Sequence, residues 1–351
     1  MKKILLVDDS ALMRRVMSDI IKEIDGYMVA YTVTDGVQAC QILERHDDVD
    51  IVLTDIDMPY MNGLELLQRA KEKAWNPAFI VFSSRQDEQS VLNALDLGAI
   101  EFIKKPQYLS KQRESYAEKV KKALQMASDV IEKSKNHKRL NTQTSMLAKK
   151  HKSLPDGTDV RRLVAIVCST GGPRALQSLL PKLPKQLAAP IVIVQHMPEG
   201  FTNSLALRLN EQCALIVKEA EDGEKVKAGV VYLARGGKHL IAKQEKNKVV
   251  LKYQDTPPIG GLKPCGNILL KSLSGLPYDE MVCVILTGMG ADGTKGILEL
   301  EKSKPIYVVA QDENSSTVYG MPRAVYEAGV CDKVCDLDDI ANEIIKKVGV
   351  L

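Results

Sequence analysis

The sequence has little net charge, no paired cysteine motif and no long apolar run, and each absence narrows its function. A formal charge of +3 over 351 residues gives no reason to expect nucleic acid or an anionic membrane as a partner. The seven cysteines lack the paired spacing of a metal site. No segment approaches the roughly twenty apolar residues of a membrane span, and acids end the first apolar run at Asp8. We therefore expect a cytoplasmic protein without direct membrane insertion.

The chain does have enough apolar sequence for two domains. A hydrophobic fraction of 45% can fill two ordinary cores at this length. In residues 1 to about 125, amphipathic stretches separate five strand-like runs, at 4–7, 27–33, 51–54, 79–82 and 101–103. This alternation predicts an α/β domain with a five-stranded parallel sheet and helices on both faces.

Chemically active side chains stand where these predicted strands end. They are Asp8 and Asp9, then Asp55 and Asp57, then Ser83 and Ser84, and finally Lys104 and Lys105. Ligands bind at the carboxyl ends of parallel strands, so these groups are expected to meet. Clustered carboxylates repel one another, and a hard cation such as Mg²⁺ would hold them ionised at close range. A carboxylate beside such a metal can attack an incoming phosphoryl group. The lysine and the serine would then interact with the negative charge of the bound phosphoryl group.

Four motifs in this region resemble the receiver domain of two-component response regulators: L-V-D-D-S, T-D-I-D-M-P-Y-M-N-G, F-S-S and F-I-K-K-P. The resemblance covers residues 1 to about 125 and implies a flavodoxin-like fold. It implies that Asp55 accepts the phosphoryl group, and that Mg²⁺ is bound by Asp55, Asp8, Asp9 and the backbone carbonyl of Asp57. It also implies three residues that respond to the phosphate, namely Ser83, Lys105 and the aromatic Phe102.

Residues 126–160 are predicted to be a linker. The basic and hydroxylic segment 133–152 has too few large apolar side chains to build a core. Its charge could hold an acidic partner or nucleic acid, but a solvated tether is favoured. A DNA-binding output domain would need a patterned pair of basic helices here, and no nucleic-acid partner is expected. The predicted domains are therefore 1–125 and 161–351, joined by this linker.

The second domain is predicted to be another layered, doubly wound α/β domain. Short apolar runs recur at 163–168, 190–194, 214–217, 230–233, 249–253, 281–286 and 305–309, with helical patterns between several of them. Segment 230–253 has strands without helices, which favours an antiparallel insertion.

A serine, a histidine and an aspartate stand just beyond three of these strands. Ser169 follows the first strand and precedes a turn of Thr-Gly-Gly-Pro, while His196 and Asp292 follow two later strands. Imidazole suits the task of taking a proton from a serine hydroxyl, and a carboxylate behind it fixes its tautomer. Parallel strands would bring all three side chains to one edge of the sheet.

Residue patterns alone leave alternatives to this interpretation. The stricter G-x-S-x-G elbow is absent because Val167 occupies the place of its first glycine, so the turn also suits a passive phosphate cradle. His239, inside the predicted insertion, is a rival base. Asp292 lies between an alanine and a glycine and could merely cap the helix that starts near Thr294.

The second domain also resembles a known family, the catalytic domain of chemotaxis protein-glutamate methylesterases, which are response regulators with this domain order. The motifs are S-T-G-G-P, Q-H-M-P, L-T-G-M-G-A-D-G and A-Q-D-E followed by Y-G-M-P-R-A. The resemblance implies that Ser169 is the nucleophile, His196 the general base and Asp292 its orienting acid. It places the backbone N–H of Met289 in the oxyanion hole and Thr170 beside the nucleophile.

The implied function is a phosphorylation-activated hydrolase that demethylates glutamate methyl esters on chemoreceptors and deamidates receptor glutamines. The unmodified receiver would cover the catalytic cleft, and phosphorylation of Asp55 by the chemotaxis histidine kinase would release it. No cofactor is expected in the hydrolytic site. The sequence departs from the family at Val167 and Cys168, where Gly-Ala is usual, and at Asn267, where aspartate is usual. The alternative is a phosphorylation-dependent module that binds receptor or kinase without hydrolysis.

Overall fold

The computed structural model describes residues 1–83, 88–106, 109–137, 154–157 and 159–351. The chain divides into two compact units, Met1–Gln143 and Thr144–Leu351. Ser84 and residues 138–153 and 158 of the predicted linker lie outside the described residues. Among the described helices, none combines the length and the apolarity needed to cross a bilayer.

The first unit is built on a parallel sheet of five strands in the order β2-β1-β3-β4-β5, which confirms the predicted receiver fold. The strands are β1 (Lys2–Val7), β2 (Tyr27–Val33), β3 (Ile51–Asp55), β4 (Ala78–Ser83) and β5 (Glu101–Lys104). The helices are α1 (Ala11–Lys22), α2 (Gly36–Arg45), α3 (Gly63–Glu72), α4 (Glu88–Leu97) and α5 (Leu109–His137). Helix α1 packs with α5, while α3 packs with α2 and α4. Strands β3 and β4 are buried throughout, as expected for strands covered on both faces.

Helix α5 continues well past residue 125, the predicted end of the receiver. Ala127 and Ile131 belong to the core of the first unit, and the hydroxyl of Ser128 lies 2.9 Å from that of Tyr27. The predicted boundary therefore falls inside a helix, because its apolar positions continue to pack on the sheet after the basic residues begin.

The second unit contains a seven-stranded parallel sheet in the order β14-β13-β12-β6-β7-β9-β8. Its strands are β6 (Arg162–Cys168), β7 (Ile191–Gln195), β8 (Ile216–Glu219), β9 (Val230–Leu233), β12 (Glu280–Ile285), β13 (Ile306–Gln311) and β14 (Lys333–Cys335). The helices are α6 (Gly172–Leu179), α7 (Phe201–Gln212), α8 (Gly266–Ser272), α9 (Thr294–Glu301), α10 (Gly320–Glu327) and α11 (Leu337–Val348). Strand β6 is central: β7, β9 and β8 lie on one side of it, and the later strands β12, β13 and β14 lie on the other. The strand order therefore reverses at β6. The crevice that such a reversal opens at the carboxyl ends of the strands is where ligands bind in this kind of fold.

The predicted antiparallel insertion is confirmed in part. Strands β10 (His239–Glu245) and β11 (Lys248–Gln254) form an antiparallel hairpin. The interpretation is wrong for β9, which pairs in parallel with both β7 and β8 inside the main sheet. The connection from β8 to β9 contains no helix, and the missing helical pattern was therefore a poor guide to strand direction.

Candidate active site

Ser169 directly follows β6, the strand at which the strand order of the second sheet reverses. Its backbone N–H donates to the carbonyl of Thr287 at 3.0 Å, and its carbonyl accepts from Gly172 at 2.7 Å. Gly171 has a φ of +78°, and a Cβ there would lie 2.4 Å from the hydroxyl oxygen of Thr317. Glycine is therefore required at position 171. Ser169 itself is half-buried at the edge of the sheet.

The turn after β12 packs directly against the serine. A Cβ on Gly288 would lie 2.7 Å from the Cβ of Ser169. The Gly288 N–H donates to Val318 at 2.9 Å, and its carbonyl accepts from Met321 at 2.8 Å. In the described part of the chain, the N–H of the next residue, Met289, has no protein acceptor. The backbone N–H of Met289 is thus a donor held next to Gly288, the residue that packs against Ser169.

His196 is brought beside Ser169 by strand register. Cys168 of β6 pairs with Gln195 of β7, so Ser169 and His196 are the next residues on neighbouring parallel strands. Nε2 of His196 lies 2.7 Å from Oδ2 of Asp292, while Nδ1 is buried without a hydrogen-bond partner. No hydrogen bond joins the Ser169 hydroxyl to the imidazole within the described residues. The imidazole nitrogen that faces no carboxylate is therefore the one left to take a proton.

The Asp292 carboxylate is buried and held by several donors. It accepts from the N–H groups of Gly266 at 2.5 Å, Asn267 at 2.9 Å and Gly293 at 3.0 Å, and from the Cys265 thiol at 3.2 Å. Burial by itself would raise the pKa of this carboxyl, but the hydrogen bonds and charge of His196 and the backbone donors outweigh it and lower the pKa to about 2. Asp292 is consequently ionised at neutral pH.

Two of the alternatives left open by the sequence, Asp292 as a helix cap and His239 as the base, receive little support from these contacts. Helix α9 begins with Gly293 as its N-cap, and the Asn267 side chain accepts from Gly293 at 3.1 Å and Gly296 at 2.7 Å. Asn267 therefore caps the helix that Asp292 was thought to cap. His239 is fully buried at the start of β10, and its Nε2 lies 3.1 Å from the carbonyl oxygen of Pro257. It makes no hydrogen bond with Asp292.

Sequence reasoning missed a set of buried polar residues around this site. The Thr287 hydroxyl donates to the carbonyl of Thr170 at 2.9 Å and accepts from the N–H of Val318 at 2.9 Å. The Thr287 N–H donates to the Gln311 carboxamide at 2.8 Å. Gln195 occupies the equivalent position on β7. The available signal was a polar residue at or just beyond the end of an otherwise apolar strand.

The receiver residues form a second cluster at the carboxyl edge of the first sheet. Nζ of Lys105 lies 2.6 Å from a carboxylate oxygen of Asp8 and 2.6 Å from one of Asp55, and all three side chains are buried. Asp9 is exposed, yet carboxylate oxygens of Asp8, Asp9 and Asp55 lie within 4.8 Å of one another. Three carboxylates against one lysine are a hard, net negative donor set, and such a set fits Mg²⁺.

Asp55 is held firmly at the end of β3. Burial raises the pKa of its carboxyl, Lys105 partly offsets this, and the charge of Asp8 raises it further. One carboxylate oxygen accepts from the N–H of Ile56 at 2.7 Å. A Cβ on Gly63 would lie 2.1 Å from the Asp55 carbonyl oxygen, which explains the glycine that ends T-D-I-D-M-P-Y-M-N-G. A buried, crowded carboxylate next to a cation is typical of a functional site.

The remaining predicted receiver residues lie near this cluster in the fold. Ser83 is buried at the end of β4, and its carbonyl accepts from the backbone N–H of Lys105 at 2.9 Å. Phe102 is half-buried on β5, and the Asp57 side chain is exposed two residues after β3. Their roles stay predictions.

Comparisons with known proteins cover both units. The family model for CheB methylesterase matches residues 164–344, and that for the response regulator receiver domain matches residues 4–117. A protein-glutamate methylesterase/protein-glutamine glutaminase of Syntrophomonas wolfei is 39% identical over 351 residues, 98% of each chain. The Bacillus subtilis relative of the same name is 39% identical over 360 residues, again 98% of each chain. The chain belongs to the CheB methylesterase family.

A solved structure supports the same assignment for the second unit. The crystal structure of the Thermotoga maritima CheB methylesterase catalytic domain matches with a TM-score of 0.51 and 43% identity, and covers 54% of this chain and 98% of that one. Within the CheB family, the departures at Val167 and Cys168 are accommodated by burial. A Cβ on Gly266 would lie 2.4 Å from a methyl group of Val167, and the Cys168 thiol donates to the Gln195 carboxamide oxygen at 3.0 Å.

Proposed function

We propose that this protein is a phosphorylation-activated hydrolase that removes methyl groups from glutamate methyl esters of chemoreceptors and deamidates receptor glutamines. The observation that supports it best is the 2.7 Å contact between Nε2 of His196 and Oδ2 of Asp292, with Ser169 just beyond the end of the neighbouring strand. Membership in the CheB methylesterase family supplies the substrate class. Chemoreceptors and the chemotaxis histidine kinase would be its partners, in the cytoplasm.

In the first half of the reaction, the Ser169 hydroxyl would attack the ester carbonyl carbon. Because Nε2 of His196 faces Asp292, Nδ1 would take the hydroxyl proton as the new C–O bond forms. The ionised Asp292 would stabilise the resulting imidazolium. The carbonyl oxygen would become negative, and the backbone N–H of Met289 would donate to it.

In the second half, the tetrahedral intermediate would collapse and break the bond to the methoxy group. His196 would return its proton to this group, so methanol leaves and an acyl ester remains on Ser169. Water would then attack the acyl carbon, with His196 taking its proton and giving it back to the serine oxygen. A glutamine side chain would follow the same course and release ammonia.

The missing hydrogen bond between Ser169 and His196 fits an enzyme without substrate. Catalytic hydrogen bonds are often long in free enzymes and shorten when substrate binds. The register of β6 and β7 places the two residues side by side just beyond the ends of these strands, and the bond would form as substrate binds.

Control would come from the receiver unit. Asp55 would accept the phosphoryl group, and Asp8, Asp9 and Asp55 would hold Mg²⁺ together with the carbonyl of Asp57. When bound, the ion neutralises the carboxylates and binds phosphoryl oxygens. Lys105 already pairs with Asp55 and would pair with the added phosphate, while Ser83 and Phe102 would respond to it.

The direct experiment compares methanol release from methylated receptor by the native chain and by Ser169→Ala. The half-exposed Ser274, whose hydroxyl donates to the carbonyl of Lys271 at 3.0 Å, gives a matched control as Ser274→Ala. We expect release to be lost only in Ser169→Ala. Equal rates for all three proteins would exclude Ser169 as the nucleophile. A native chain that, supplied with a small phosphodonor and Mg²⁺, binds methylated receptor but releases no methanol would support the binding module instead.

A further inference from the structure

The carboxamide of Gln195 joins the two residues proposed to carry the chemistry. Gln195 is 1% exposed, and its Nε2 donates to the carbonyl of Ser169 at 2.9 Å and to that of His196 at 3.2 Å. Its Oε1 accepts from the Cys168 thiol at 3.0 Å. Both amide hydrogens and the oxygen are therefore engaged, and the group has no alternative orientation that keeps these bonds.

The surrounding backbone is shaped to admit this carboxamide. A Cβ on Gly172 would lie 2.0 Å from Oε1 of Gln195, so a larger residue at the start of α6 would displace it. The last pairing between the two strands is that of Cys168 with Gln195, followed by one bond from the His196 N–H to the Cys168 carbonyl at 3.0 Å. The backbone hydrogen bonds between β6 and β7 end here. The bond from the Gln195 side chain to the Ser169 carbonyl joins the two segments one residue further along.

We infer that Gln195 is a positioning residue that sets the separation of the Ser169 hydroxyl and the His196 imidazole. This inference rests on the proposed hydrolysis and adds a residue to it. The carboxamide donates to the backbone carbonyls of Ser169 and His196, the two residues whose side chains would react. Loss of the amide hydrogens frees both peptide groups at once, and a misplacement of about 1 Å in such a pair costs up to about 100-fold in rate.

Two substitutions separate positioning from mere stability. Gln195→Met keeps the length of the side chain but donates no hydrogen bond, and we expect kcat for methanol release to fall at least about tenfold with KM within about twofold. Gln195→Glu keeps the shape, but the new carboxyl can donate only while it is protonated. Its activity, relative to that of the native chain at the same pH, should therefore decline as pH rises through the pKa of that carboxyl.

Tyr232→Phe is the matched control. Tyr232 is 2% exposed, and its hydroxyl makes two hydrogen bonds, from the Lys227 N–H at 3.0 Å and to the Lys225 carbonyl at 3.2 Å. Its removal costs two hydrogen bonds, the same number that the Gln195 amide group donates, while Gln195→Met also loses the bond from the Cys168 thiol. Hydrogen exchange of the amides in β6 compares their stabilities, and Tyr232→Phe should keep the native kcat and pH profile.

The possible outcomes distinguish the inference from the function on which it rests. A native kcat in Gln195→Met, a native pH profile in Gln195→Glu, or an equal loss of kcat in Tyr232→Phe would each overturn the positioning role. Native methanol release by Ser169→Ala would instead overturn the proposed function. Should Gln195→Met fail to fold, the pH profile of Gln195→Glu decides.

Discussion

Replacement of Asp292 by asparagine tests the proposed catalytic arrangement through both rate and stability. The asparagine oxygen can take the place of Oδ1 and still accept from the N–H groups of Asn267 and Gly293. Its amide N–H groups would then face His196 and the Gly266 N–H, which loses its acceptor. The imidazole would then present a lone pair at Nε2 and carry its proton on Nδ1. That tautomer cannot take a proton from Ser169, and the equivalent loss in serine hydrolases lowers kcat by about 10⁴-fold.

The structure also gives the size of the stability change. Donors lower the pKa of the Asp292 carboxyl from its ordinary 3.8 to about 2, which at about 1.36 kcal/mol per unit of pKa is a stabilisation of about 2 kcal/mol. Because the folded-state pKa is depressed, this stabilisation is fully present above pH 3.8 and is lost as pH falls through about 2. Asp292→Asn should therefore destabilise the second unit at pH 7 and make little difference near pH 2.

Methanol release measures the rate, and hydrogen exchange in β6 and β12 measures the stability of the second unit by itself. Asp292→Glu is a comparison variant for Asp292→Asn, because it keeps the negative charge in this crowded site. A kcat within tenfold of native for Asp292→Asn, in a protein that is folded at pH 7, would refute the tautomer argument. A destabilisation that persists unchanged down to pH 2 would refute the argument from the carboxyl pKa.

Three further predictions concern the receiver and the α9 cap. Asp55→Asn should incorporate no phosphoryl group from a small phosphodonor with Mg²⁺, and the donor should not raise its methanol release; activation equal to native would show that another residue is the switch. Lys105→Met leaves two buried carboxylates without their cation, so it should cost the first unit about 3–5 kcal/mol. Fluorescence of the single tryptophan, Trp75, reports this unfolding, and Mg²⁺ should stabilise the variant more than the native chain; an unaltered urea midpoint would contradict the prediction. Asn267→Asp keeps an acceptor for Gly293 and Gly296, so stability should change by less than about 1 kcal/mol, whereas Asn267→Leu removes the cap and should cost about 1–2 kcal/mol; equal stabilities of the two variants would show that the cap contributes nothing.

Much of the fold was predictable because parallel strands buried on both faces are short apolar runs bounded by polar residues. All five strands of the first unit and the strands β6, β7, β12 and β13 of the second were found in this way. Direction was harder to predict where a helix was missing, and β9 was misassigned for that reason. The short β14 was missed, since its sequence Lys-Val-Cys has no apolar run.

The side chains of the candidate site were predictable because they follow strands that the sheet brings together. Ser169, His196 and Asp292 lie far apart in sequence, but each directly succeeds a recognisable strand or its turn. The groups that hold them were not predictable. The Asp292 carboxylate depends on backbone N–H groups at Gly266 and Asn267, and a backbone donor has no signature in the sequence.

The most direct test traps the acyl group on the enzyme. Native protein is mixed with a receptor peptide carrying a glutamate methyl ester, quenched in acid during turnover and digested with trypsin, which releases residues 163–174 as one peptide. Mass spectrometry should find this peptide heavier by the substrate peptide less methanol, with the modification on Ser169 and none in Ser169→Ala. Methanol release with the acyl group on another residue, or an adduct that persists in Ser169→Ala, would contradict the account.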